Sequence, residues 1–321
     1  MVVRLYKSST FIQNLIIILV GAALWFPRFY ELQAMQTDYQ QPFFHFCFEV
    51  LQPFPYISMG VALLLLFVGA MVVQRSLYFD RLRISGHNFP ILLFVMLSVT
   101  PHVAFYSPII ITALMLAVAM IFIFQIPEKE QNDHLVFFAA FFFGLATLFY
   151  LPSLFLMVLF IVLYFLGNFS GRKTGVAILG FLLPVIWCIA GLYLSSNLSI
   201  MIEEWTKHFL VFNLPQPDSD IASFVILSIV IFVYIMVISR VLLKLSERTT
   251  IIRRRIVISI FMALLIMLSA FFSYNFYEHL LLLSVPMVAL ISYYYNEDGE
   301  AQYLDYALIG CFVALVLFSF L

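Results

Sequence analysis

The sequence predicts an all-α, polytopic transmembrane helical bundle of about 11 spans, within a range of about 9–12. Composition is the first reason: 64% of the 321 residues are apolar, 10% are charged and 37 are Phe, with a mean hydropathy of +1.07. A soluble core of that length has no room for so much apolar surface, so lipid is the solvent for most of it. The second reason is a series of apolar runs near the ~17–25 residues that cross a bilayer. The third is charge asymmetry. With these runs threaded as spans, every Lys and Arg but Arg28 and Lys207, out of 16, falls on one side.

The spans follow in order. The first is expected from Thr10 to Phe26; Phe26-Pro27-Arg28 is a poor small-residue cleavage site, so this run reads as a retained span and not a removed signal. The next four run from Tyr56 to Val73, Phe89 to Phe105, Pro108 to Ile126 and His134 to Tyr150. Six more run from Pro152 to Leu166, Gly175 to Leu194, Ile221 to Val241, Ile256 to Ser273, Phe276 to Tyr295 and Tyr303 to Leu321. The third, fifth and sixth are short, as tilted, partial or hairpin-forming helices are. Residues 1–321 form one integral membrane domain. Basic residues favour cytoplasmic loops, which sets the N-terminus inside, the C-terminus in the periplasm and the whole in a bacterial inner membrane. Arg253-Arg254-Arg255 and the Arg75, Arg81 and Arg83 cluster are expected to enforce that orientation and to touch anionic headgroups.

Two outer loops, 27–55 and 195–220, are long enough to hold amphipathic interfacial helices. In the first, Pro42 suits a helix start, Phe43, Phe46 and Val50 share a face, and His45 and Glu49 lie four residues apart on another. In the second, Ile202, Trp205, Phe209 and Phe212 recur at helical spacing opposite Glu203, Glu204 and Lys207. Such helices can roof a cavity over a lipid-linked substrate, or simply anchor solvated loops by their aromatics. His102, Glu278 and His279 stand near the outer ends of spans; ionisable groups at membrane depth are costly and often functional, whereas water reaches these ends, and a histidine at a helix end is more often simply capped or wetted.

Cys47, Cys188 and Cys311 are isolated, so neither a disulfide framework nor metal spacing is present. No cofactor is expected. His45 and Glu49 at i,i+4 offer two ligands for a divalent metal without a third, which is a weak signal. Redox or dioxygenase chemistry needs several His at bilayer depth, which this threading does not supply. Transport is disfavoured by spans almost free of ionisable groups and by the absence of a visible repeat.

The stretch Gly144-Leu145-Ala146-Thr147-Leu148-Phe149-Tyr150-Leu151-Pro152-Ser153 leads to Gly171-Arg172-Lys173 and then Gly180-Phe181-Leu182-Leu183-Pro184. In this order it resembles the membrane-embedded, polyprenyl-phosphate-sugar-dependent glycosyltransferases of the C superfamily. It also resembles an uncharacterised Bacteroidetes family of polytopic inner-membrane proteins that shares the 81–101 region. The glycosyltransferase resemblance implies a catalytic carboxylate in the first outer loop, carried here by Asp38, then Glu49, with His45 assisting. Arg28, His102, Lys207, Glu278 and His279 are the substrate-binding candidates. The chain departs from that pattern in lacking an Asp-x-Asp pair, a periplasmic domain and more than two outer cations. Expected partners are membrane lipids, a polyprenyl-phosphate-linked sugar and other envelope proteins, with no nucleic acid. The alternative function is a non-catalytic subunit or scaffold of an envelope-assembly or secretion complex.

Overall fold

The computed structural model describes residues 15, 17–21, 24, 54–78, 88–98, 107–126, 132–165, 170–195, 198–199, 202–203, 221–272, 279–297 and 310. Among them there is no strand. The helices are α1 (Pro55–Tyr78), α2 (Phe89–Leu97), α3 (Pro108–Gln125), α4 (Asp133–Phe149), a 3-10 helix (Leu151–Met157), α5 (Val158–Phe165), α6 (Gly171–Leu194), α7 (Ile221–Leu243), a 3-10 turn (Leu245–Glu247), α8 (Thr250–Ala270) and α9 (His279–Glu297). Three stretches among the described residues, Tyr56–Leu77, Pro108–Gln125 and Gly171–Leu194, are long and apolar enough to cross a membrane. Outward-facing Leu179, Trp187 and Leu194 on α6 (Trp187 75% exposed) form an apolar surface that lipid solvates and water does not.

Elements begin and end where the local chemistry dictates. Ser107 accepts from the Ile109 N–H and Pro108 opens α3 at the position where a missing N–H costs nothing. Ser170 likewise opens α6 by accepting from Lys173 N. Asn132 precedes α4, but its amide turns back and donates to the Ile126 carbonyl at 2.6 Å, tying the end of α3 to the start of α4. The helix expected from Phe89 to Phe105 is described over Phe89–Leu97 alone, and six of its nine residues are buried. The run expected from Pro152 starts as a 3-10 helix and becomes α-helical at Val158.

The centre of the bundle is α9. Every residue from His279 to Tyr293 is buried, with α1, α2, α3, α7 and α8 packed around it. Its buried polar groups, His279, Ser284 and Ser292, are thereby kept from lipid.

Contacts between remote residues fix which helix ends lie together. At one end Arg172 pairs with Asp133 at 2.9 Å, Arg255 reaches Phe124, Phe124 meets Tyr293 and Arg248 reaches Tyr293. At the other end Tyr150 meets His279 and Phe155 stacks on Phe272. From α3 to α6 and again from α8 to α9, the chain therefore alternates in direction as the threading required. The ends fixed by contact or adjacency place Arg172, Lys173, Arg240, Lys244, Arg248, Arg253, Arg254 and Arg255 together; this is called the basic end below. The Arg172–Asp133 pair is exposed, so breaking it by Asp133→Asn should change thermal stability by less than about 1 kcal/mol; a larger loss would show that the pair matters beyond its screened charge.

Parallel helices α4 and α6 make the closest contact. A Cβ on Gly180 would lie 2.5 Å from the Phe137 carbonyl and 3.2 Å from Ala140 Cβ, and one on Gly144 would lie 2.7 Å from Pro184 Cγ. Ala140 and Gly144 on α4 thus face Gly180 and Pro184 on α6, a small-xxx-small seam that lets backbones touch. Gly144 and the Gly180-to-Pro184 stretch, which carry the family resemblance, are therefore packing residues.

Candidate functional site

Arg28, Asp38, His45, Glu49, His102, Lys207 and Glu278 lie outside the described residues, as do both proposed interfacial helices apart from a few positions such as Ile202 and Glu203. The described member of the candidate set is His279. It opens α9, is 2% exposed and stands at the end opposite the arginines.

Its neighbour is Tyr150. The two rings are 5.3 Å apart, tilted at 59°, and the tyrosine hydroxyl is 3.4 Å from His279 Nδ1. Tyr150 ends α4 in an extended conformation, its N–H donating to the Ala146 carbonyl. Its own carbonyl accepts twice from Ser153, from the backbone N–H at 3.0 Å and from Oγ at 2.8 Å. Ser153 Oγ is also 3.4 Å from Thr147 Oγ1, which donates to the Phe143 carbonyl at 2.9 Å. Thr147, Tyr150, Ser153 and His279 are all buried. Burying four polar side chains in an apolar bundle costs free energy that the hydrogen bonds offset. The break in the helix at Tyr150-Leu151-Pro152 creates the carbonyl acceptors this cluster uses.

The basic end is built differently from the expectation. Arg255 is fully buried, at 0% exposure. Its Nε donates to the Phe124 carbonyl at 2.8 Å, and its guanidinium lies over the Phe124 ring at 5.9 Å. Arg248, also buried, donates from Nη1 to the Tyr293 carbonyl at 3.1 Å. Arg253 folds back and donates to the Leu245 and Ser246 carbonyls at 3.2 and 3.1 Å. Arg255 and Arg248 thus meet the carbonyl-rich C-terminal parts of α3 and α9, where the macrodipole is negative, while Arg253 caps the 3-10 turn that follows α7. Of the arginine run, Arg253 and Arg254 are both exposed, and Arg255 is the buried member. Carbonyls at a helix end inside an apolar bundle need donors, and the guanidinium groups of Arg248 and Arg255 supply them instead of facing headgroups.

Among the described residues no group of three His, Cys, Asp or Glu side chains is placed to hold a metal. Sequence reasoning named His279 and quoted Tyr150 and Ser153 within the resemblance stretch, but it did not pair them. The signal that was available is the Tyr-Leu-Pro-Ser break, which had to leave carbonyls for polar side chains to use. Compared with known proteins, the chain matches no family model, no curated protein and no solved structure.

Proposed function

We propose that the protein is a multi-pass protein of the bacterial inner membrane that handles a lipid-linked sugar or envelope glycan, in the manner of a C-superfamily-like glycosyltransferase. The observation that carries this reading is the buried Thr147, Tyr150, Ser153 and His279 cluster at the end opposite the arginines. If basic ends face the cytoplasm, the cluster lies toward the periplasm, where lipid-linked sugars are consumed. In the proposed step Asp38 takes the proton of an acceptor hydroxyl while that oxygen attacks the anomeric carbon. The bond from the sugar to the polyprenyl phosphate breaks, and the departing phosphate is held by Arg28 with Lys207 and the histidines as further donors. His45 and Glu49 assist at the same loop.

Two experiments test it. In membrane vesicles supplied with a polyprenyl-phosphate sugar, Asp38→Ala should abolish glycan product in a protein that still accumulates; unchanged product sinks the assignment. Orientation is read separately. In a background with Cys47, Cys188 and Cys311 replaced, Arg254→Cys should react with an impermeant maleimide only from the cytoplasmic face, and labelling from the periplasm reverses the topology.

A non-catalytic membrane subunit is the second reading. The observation favouring it is that described buried polar groups at both ends link one helix to another, Arg248 and Arg255 at the basic end and Tyr150 with His279 at the other. Co-purification with one partner at fixed stoichiometry, together with unchanged product in Asp38→Ala, would select it.

A further inference from the structure

The corner that joins α7 to α8 carries charge that the bundle itself leaves unanswered. Over residues 221–272 the cations are Arg240, Lys244, Arg248, Arg253, Arg254 and Arg255, against one acid, Glu247. Arg248 and Arg255 are buried and donate to helix-end carbonyls. Arg240, Arg253 and Arg254 are exposed, and among the described residues no carboxylate pairs with them. Arg253 is also fixed in place. Its Nε donates to the Leu245 carbonyl, and its Nη2 donates to those of Ser246 and Arg248, at 3.1 and 3.4 Å. These bonds use one edge of the guanidinium and leave Nη1 for another acceptor. A cation already held loses little freedom when it binds. The turn of α8 beside it has no acidic residue, and Thr249 makes no side-chain cap there.

Apolar side chains border these charges. Leu242, Leu243 and Ile251 are exposed, Leu243 by 74%, and α7 and α8 pack on α9 rather than on each other. We propose that this corner is a binding site for an anionic phospholipid, its headgroup phosphate on Arg240, Arg253 and Arg254 and its acyl chains on Leu242, Leu243 and Ile251. Arginine suits the task because its planar fork matches phosphate oxygens. Arg240 stands about 7.5 Å of helix rise before Leu245, a distance that its long side chain covers by bending toward the headgroups. The apolar border favours a lipid over a soluble phosphate, which gains nothing from exposed leucines. General attraction of basic loops to anionic headgroups would be shared by every exposed cation at this end; a built site is not. The proposal rests on the membrane reading and not on the transferase step.

Native mass spectrometry of the whole protein in detergent, titrated with phosphatidylglycerol or phosphatidylcholine, tests this. The expected result is phosphatidylglycerol bound in preference to phosphatidylcholine, at a low and fixed number per protein. Arg240→Gln combined with Arg254→Gln removes two cations that hold no part of the bundle. That double variant should weaken phosphatidylglycerol binding roughly 25-fold, about fivefold for each arginine. Arg172→Gln combined with Lys173→Gln takes as much charge from the same end and should change binding by less than about twofold. Arg253→Gln should weaken it too, but that variant also releases the Leu245 and Ser246 carbonyls, so the Arg240 and Arg254 pair decides. Equal weakening by the two double variants would mean a diffuse field and no site, and overturns the proposal. Equal binding of the two lipids does the same. Displacement of phosphatidylglycerol by inorganic phosphate would give the corner to a soluble anion and overturns the lipid assignment. No glycan product is measured, so none of these outcomes bears on the transferase step.

Discussion

Arg255→Ala is expected to destabilise the bundle by about 1.5–3 kcal/mol, the range for losing a buried hydrogen bond made by a charged group. The Phe124 carbonyl loses a 2.8 Å bond to a cation, α3 loses the positive charge at its C-terminal end, and a cavity opens against the Phe124 ring. Arg255→Lys retains charge but cannot reproduce the planar contact over the ring together with the bond to the carbonyl, so an intermediate loss is expected. Arg254→Ala, one position away and exposed, should stay within about 0.5 kcal/mol. Unfolding midpoints in nanodiscs measure all three. If Arg255→Ala is tolerated as well as Arg254→Ala, the buried guanidinium is not what closes the basic end.

Gly144→Val should have a comparable effect by a different route. The first carbon of any side chain at 144 would fall 2.7 Å from Pro184 Cγ and against the Phe181 carbonyl, and a backbone carbonyl cannot move aside as a side chain tip can. The cost should reach or pass the roughly 1–3 kcal/mol of ordinary overpacking, with α4 and α6 forced apart. Gly180→Val should do the same against the Phe137 carbonyl. Because the two substitutions act on one seam, the double variant should lose less than the sum of the two singles. Gly175 has nothing within 4 Å of its would-be Cβ, so Gly175→Ala is the control and should leave the midpoint unchanged or slightly raised. A Gly144 variant as stable as that control would mean the helices do not touch here.

Hydropathy made the helices legible because a bilayer requires long apolar segments and little else. Tyr56 to Val73 and Gly175 to Leu194 fall inside helices that extend a few residues further, and Pro108 to Ile126 matches α3 to within one residue. Those extra turns are polar or capped, as in Gly171-Arg172-Lys173-Thr174, and hydropathy does not see them. The alternating directions followed from threading successive apolar runs as spans, and the Arg172–Asp133 and Tyr150–His279 contacts agree with them. Of the run expected from Phe89 to Phe105, α2 is described over nine residues, Phe89–Leu97. Burial of individual cations was not legible at all. Arg253, Arg254 and Arg255 are identical in sequence terms, and only helical phase and the position of the end of α3 separate a capping arginine from a solvated one. Of the expected site, the imidazole at His279 is described; its pairing with Tyr150 joins residues 129 positions apart, which no local pattern encodes.

The 3-10 helix from Leu151 to Met157 has a consequence for membrane thickness. The chain climbs from the basic end through α4 in 17 residues, about 26 Å of rise. It begins its return with 15 residues, seven of them in 3-10 winding. At about 2.0 Å per residue in that part and 1.5 Å in the rest, the descent also covers about 26 Å. Two unequal stretches of sequence are thus brought to one length by winding part of the shorter one into a narrower helix with a greater rise per residue. Rewinding those seven residues as α-helix would shorten the descent by about 3.5 Å. A thinner bilayer favours that rewinding and a thicker one opposes it, which makes the stretch beside Tyr150 and Ser153 the part of the fold whose geometry is most closely tied to the lipid around it.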